Sequence, residues 1–187
     1  MELQFRPATP GDAGILLPLI SSAFRGDESR KGWTTEADLV AGERIDEASL
    51  LEKITAQNGV ILLATDKSGA LIACCELLKL KDRLGYFGLF AVNPERQGGG
   101  LGKQVLRVAE SYAREKLGAT RMEMSVLWMR EELIAWYVRR GYVMTWEKRA
   151  FPWEILANGK EGALRDDLYF EVLEKDLAAR IEVTAAA

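Results

Sequence analysis

The stretch AVNPERQGGGLGKQVLRVAESYA, residues 91–113, decides the fold. An apolar strand runs into Gly98, Gly99, Gly100 and Gly102, and a helix opens at once, with Leu101, Val105, Val108, Ala109 and Tyr112 recurring at helical spacing. Gly118 closes that helix. A strand that turns directly into a helix aims unpaired backbone N–H groups at one point, and the helix dipole adds partial positive charge there. Glycines let a phosphate approach the backbone closely and accept turn conformations that other residues resist. The junction therefore reads as an anion site.

Upstream of it, GVILLATD (59–66), LIACCELLKL (71–80) and GYFGLFAVN (85–93) read as a β-meander. LQFRPAT (3–9) reads as a first strand and PGDAGILLPLISSAF (10–24) as a helix capped near Asp12. Residues 25–53 are charged and helical in pattern, with a loop around RGDESRKGWTT. Downstream, TRMEMSVLW (120–128) is a strand and REELIAWYVRRG (130–141) a helix ended by Gly141. YVMTWEKRAF (142–151) and DLYFEVLEKDL (167–177) are paired strands, and the tail 179–187 carries too little pattern to assign. Strands come first in a run and then alternate with helices. The expected class is α/β, with a mixed, mostly antiparallel central sheet flanked by helices, in one domain over residues 1–187.

Composition narrows the function. The 187 residues are 48% hydrophobic, enough for one sizeable core, and the net charge of -3 leaves no basic stripe for a nucleic-acid duplex. The opening MELQFRPATPGD has no apolar run of signal-peptide length, and no later run could span a bilayer, so a cytoplasmic protein without membrane partners is expected. Cys74 and Cys75 are neighbours, with Cα atoms about 3.8 Å apart, too close for an ordinary disulfide. They are read as reduced, packed as small hydrophobes on opposite faces of a strand. With no histidine in the chain, a Ser-His-Asp triad and a histidine zinc site are excluded, and no metal is expected.

Two nucleotide loops fail by spacing. A Walker A loop needs Ser or Thr after Gly102-Lys103, where Gln104 stands, and a glycine where Gln97 stands. The dinucleotide fingerprint lacks its last glycine, because Lys103 occupies that position. What fits is Q-x-x-G-x-G, as Gln97-Gly98-Gly99-Gly100-Leu101-Gly102, followed at a distance by REELIAWYVRRGY. In both segments the chain resembles the GNAT N-acetyltransferase superfamily, whose acetyl-CoA motif is [QR]-x-x-G-x-[GA] and whose later helix reads N-x-x-A-x-x-x-Y-x-x-x-G-[FY].

That resemblance implies acetyl-CoA as cosubstrate, with its pyrophosphate on the N–H groups of Gln97, Gly98, Gly99, Gly100, Leu101, Gly102 and Lys103. The pantetheine arm would pair like a strand with the backbone at Phe90, Ala91 and Val92. Acetyl transfer by direct attack in a ternary complex needs a deprotonated amine, a stabilised oxyanion and a proton for the leaving thiolate. Tyr137 matches the family tyrosine and is the expected general acid. The chain departs from the pattern at Arg130, which replaces the helix-start Asn, and GYFGLFAVN carries no carboxylate.

The base is therefore sought elsewhere: Glu76 is chosen because a carboxylate inside an apolar strand needs a reason, although strict alternation also allows it to face solvent, and a water-relayed base is the alternative. The acid-rich segment 27–52 lies where the family builds its acceptor pocket, so Trp33 and Glu36 are the expected acceptor contacts, suited to a cationic amine. Trp128, Trp136 and Trp153 are read as lining either site or core. The acceptor is a primary amine of a small molecule or peptide, and the reading leaves room for a homodimer. A catalytically silent acyl-CoA sensor and a transferase of longer acyl chains are the alternatives.

Overall fold

The computed structural model describes residues 2–153 and 164–178; the tail 179–187 lies outside them. The strands are β1 (Gln4–Pro7), β2 (Gly59–Thr65), β3 (Leu71–Lys79), β4 (Leu84–Val92), β5 (Arg121–Leu127), β6 (Val143–Ala150) and β7 (Tyr169–Asp176). They form one sheet in the order β1-β2-β3-β4-β5-β7-β6. Every neighbouring pair is antiparallel except β4 with β5, so the mixed, mostly antiparallel α/β class is observed. The α-helices are α1 (Ala13–Phe24), α2 (Gly26–Ser29), α3 (Glu47–Thr55), α4 (Leu101–Lys116) and α5 (Glu131–Val138), with short 3-10 turns at Pro10–Asp12 and Pro94–Arg96. No described helix is long and apolar enough to cross a membrane.

The sheet separates two cores. On one face Leu16, Ile20 and Phe24 of α1 and Leu50 of α3 pack on Ile61, Leu63 and Cys74. On the other, Leu101, Val105, Leu106, Ala109 and Ala113 of α4, with Leu133 and Tyr137 of α5, pack on Leu62, Cys75 and Met122. Alternation along β3 thus sends Cys74 to one core and Cys75 to the other, and both thiols are free and buried. Burial pushes the Cys74 thiol up to about 12 and raises that of Cys75, so neither is a nucleophile at neutral pH.

Local chemistry departs from expectation in three places. Asp12 does not cap α1 with its side chain. Its carboxylate accepts instead from the Thr9 N–H and hydroxyl, each at 2.8 Å, and from two Arg6 nitrogens, ending the turn Pro10–Asp12 that precedes the helix. The buried stripe of α4 takes in Leu106 and Ala113 and leaves Val108 and Tyr112 partly exposed, because the helix sits slightly rotated from the face first read. Finally, α5 stops at Val138, before Gly141.

Candidate active site

A wedge in the sheet positions the site. Strands β4 and β5 pair only through Leu84 with Arg121, Gly85 with Met122 and Tyr86 with Glu123. Beyond Tyr86 they part, leaving the β5-facing edge of β4 open to Val92. A bulge sits at the point of parting: Glu76 of β3 faces Gly88 and Cys74 faces Ala91, so Leu89 and Phe90 together oppose Cys75. Leu89 takes a φ of 44°, a left-handed value costly for a branched side chain. The bulge reverses the phase of the strand. Phe87 packs in the α4 core, whereas Leu89 and Ala91 pack in the α1 and α3 core and Phe90 and Val92 turn towards α4. A cleft of about 540 Å³ fills the wedge, lined among others by Phe90, Val92, the glycine loop, Ser125, Trp136 and Tyr137.

The glycines serve two separate needs. Gly98, Gly99 and Gly100 are all left-handed, with φ of 106°, 56° and 79°, yet a Cβ at any of them would meet open space. Gly102 is needed for room: a Cβ there would lie 3.3 Å from the Trp136 ring and 3.6 Å from Phe90. The N–H groups of Gly98, Gly99, Gly100, Gly102 and Lys103 bond to no described backbone carbonyl, while Leu101 donates to the Gly98 carbonyl. Lys103 and Arg140 also line the cleft, Arg140 stacked 3.4 Å over the Trp136 ring. Of the expected cofactor contacts, Ala91 and Gly99 are not among the lining residues, the Ala91 side chain being in the opposite core.

Tyr137 is both core and cleft. Its ring packs edge-on against Trp136, Tyr142 and Phe87, and burial raises its pKa, so the phenol stays protonated at neutral pH. Glu76 is buried, not solvent-facing. Its Oε1 accepts from Lys53 Nζ at 2.7 Å, and a Cβ at Gly88, a lining residue, would stand 3.4 Å from its Oε2. The carboxylate thus lies behind the cleft wall at Gly88, where the Tyr86 ring fills the space a side chain would take.

The acid-rich segment does not converge on the cleft. Glu28 and Asp38 pair with Lys31 and Arg30 at the surface, and Glu36 alone of its acids lines the site. Glu36 is itself neutralised, with Arg25 Nη1 and Arg130 Nη1 each 2.7 Å from one of its oxygens. Burial alone would raise its pKa, but the charges of Arg130, Arg44 and Arg25 outweigh burial and hold it below the ordinary value of 4.5. Because the folded pKa is depressed, this contribution is present above the unfolded value and is lost as pH falls through the folded one. Urea unfolding from pH 6 downward should therefore show a steeper loss of stability in the wild type than in Glu36→Gln. Parallel curves would remove Glu36 from the acid response.

Trp33 stands at the other end, 6.4 Å from Trp136, with its N–H donated to Gln97 Oε1 at 3.0 Å. Gln97 Nε2 also donates to the Thr34 hydroxyl, so this side chain ties the 32–34 loop to the glycine loop. Trp136 lines the cleft, whereas Trp128 stacks on Tyr169 and Trp153 packs on Phe151. Arg130 went unassigned in the sequence, although its departure from Asn was the signal. Helix α5 still begins beside it, and without a side-chain cap its guanidinium is free to bind Glu36 and the Thr34 carbonyl. Arg44 and Arg149, also lining, carried no recognisable pattern.

Residues 23–142 match the model of the acetyltransferase (GNAT) family. A comparison with curated proteins gave no match. Among solved structures, an N-acetyltransferase from Staphylococcus aureus Mu50 superposes with a TM-score of 0.71 at 11% identity, over 96% of this chain and 100% of that one. The spermidine/spermine N-acetyltransferase SpeG from Vibrio cholerae gives 0.65 at 16% identity, over 94% and 93%. At such identities the likeness concerns the fold.

Proposed function

The chain belongs to the GNAT acetyltransferase family, and from that premise we propose that it acetylates the primary amine of a small molecule or peptide, using acetyl-CoA in a ternary complex. The observation that carries this reading is the meeting, in one wedge, of the unbonded N–H groups of the glycine loop, the open edge of β4 and the Tyr137 phenol. These fit coenzyme A: the N–H groups with Lys103 suit a diphosphate, and the open strand edge at Phe90 and Val92 suits an extended amide chain. When bound, acetyl-CoA supplies an activated acyl group and a thiolate leaving group. Tyr137 donates a proton towards the departing sulfur. Glu76, behind the wall at Gly88, receives the proton of the attacking ammonium. The structural likeness to a spermidine/spermine N-acetyltransferase favours a small-molecule acceptor.

Calorimetric titration with acetyl-CoA, followed by thiol release across a panel of primary amines, tests the whole. Binding with release on some amine establishes the transferase. Binding without release on any would favour the silent sensor, and no binding would overturn the reading of the loop. Within that assay Gly100→Val should raise the KM for acetyl-CoA about tenfold or more, because a β-branched residue resists the left-handed conformation that aims these N–H groups. An unchanged KM would separate the loop from the cofactor.

A further inference from the structure

The charge inside the cleft is opposite to the one the sequence led us to expect. Two guanidiniums, Arg25 and Arg130, pair with one carboxylate, Glu36, and a third, Arg44, lines the same cleft. Arg25 and Arg130 share it, and Arg44 makes no ion pair among the described residues, its guanidinium lying 5.2 Å over the Phe24 ring. The cluster is short of acceptors as well, since Arg25 Nε is buried without a hydrogen-bond partner. Arg149 also lines the cleft, but Glu123 and Glu147 already engage it. Nor does Glu76 offset the excess, because Lys53 holds it. A second cationic group on an acceptor would meet net positive charge in this cleft, where Arg44 stands exposed to an incoming ligand.

We infer that the acceptor amine carries an anionic group, a carboxylate or a phosphoryl oxyanion, bound by Arg44. This rests on the acetyltransferase reading and narrows its substrate class. Arg44 acts at the acceptor end: it lines the cleft beside Phe24 of α1, on the α1 and α3 side of the sheet. Lys103 and Arg140, near the glycine loop and Trp136, remain for the phosphates of coenzyme A. A guanidinium matches both carboxylate and phosphoryl oxygens with two parallel N–H donors, and such bonds are about twice as strong as neutral ones.

The test titrates the CoA-loaded protein calorimetrically with amino acids, their carboxamides, aminoalkyl phosphonates and linear diamines, with thiol release on the same panel supplied with acetyl-CoA. Amines bearing carboxylate or phosphonate should bind about tenfold or more tightly than the matched amides and diamines, and the comparison of those two acids names the anion. Arg44→Gln should remove the preference, and Arg44→Glu should turn it towards diamines, while acetyl-CoA affinity stays unchanged. Equal binding across the panel, preference for diamines, no binding by any compound, or loss of acetyl-CoA affinity in Arg44→Gln would each overturn the inference. Tight binding of acidic amines without thiol release would instead refute the transferase and leave the ligand class standing.

Discussion

Tyr137→Phe is expected to lower kcat about a hundredfold while the Kd for acetyl-CoA and the thermal midpoint stay nearly unchanged. The substitution removes one oxygen and keeps the ring, whose edge contacts with Trp136 at 5.0 Å and Tyr142 at 5.8 Å supply its packing. No hydrogen bond from the phenol to a described residue is lost, so a stability change has no source there. The raised pKa keeps the oxygen protonated throughout the neutral range, as a proton donor to a thiolate must be. Single-turnover kinetics at saturating acetyl-CoA would read the chemical step directly. Full activity would remove Tyr137 from the mechanism and make it a core aromatic, whereas a lowered midpoint with proportionate loss of activity would mark it as structural.

Glu76→Gln should be comparably damaging, by about a hundredfold in kcat at neutral pH, with the deficit shrinking as pH rises and more of the amine is already deprotonated. That pH rescue separates a base from a packing residue. Gln keeps the size of the side chain and an oxygen for Lys53, so the ion pair becomes a hydrogen bond without opening a cavity. A deficit that is constant with pH would mean that Glu76 serves only to hold α3 against β3, and an unchanged rate would leave the base to be found elsewhere.

Local pattern revealed the strands and the glycine helix because their signals are short-range: period-two alternation, a left-handed glycine run, an amphipathic stripe. The order of the sheet and the parting of β4 from β5 depend on pairings across the chain, which no window of residues encodes. The bulge was hidden for a different reason. In GYFGLFAVN both faces of the strand are apolar, so a change of phase leaves no mark on the hydrophobic pattern. Charge in the acceptor region misled because the sequence displays all acids equally. Only the fold shows that Arg25 and Arg130 reach Glu36 across eleven and ninety-four positions. Arg130 was visible as a departure, but a lost cap and a gained ion pair look the same in sequence.

The bulge in β4 has a consequence for descent. The wedge depends on the number of residues between Phe87 and Val92 more than on their identity, because one extra residue there makes the bulge at which β4 parts from β5. A single deletion there would remove the extra residue, leave Phe90 and Val92 in phase with Phe87 on the α4 side, and take away the kink, drawing β4 back towards β5. Any one apolar replacement at Leu89 would leave the count intact. Lineages of this chain are therefore expected to tolerate substitution along the strand while holding its length fixed, so that a gap placed here in an ancestor would mark the loss of the activity rather than its drift.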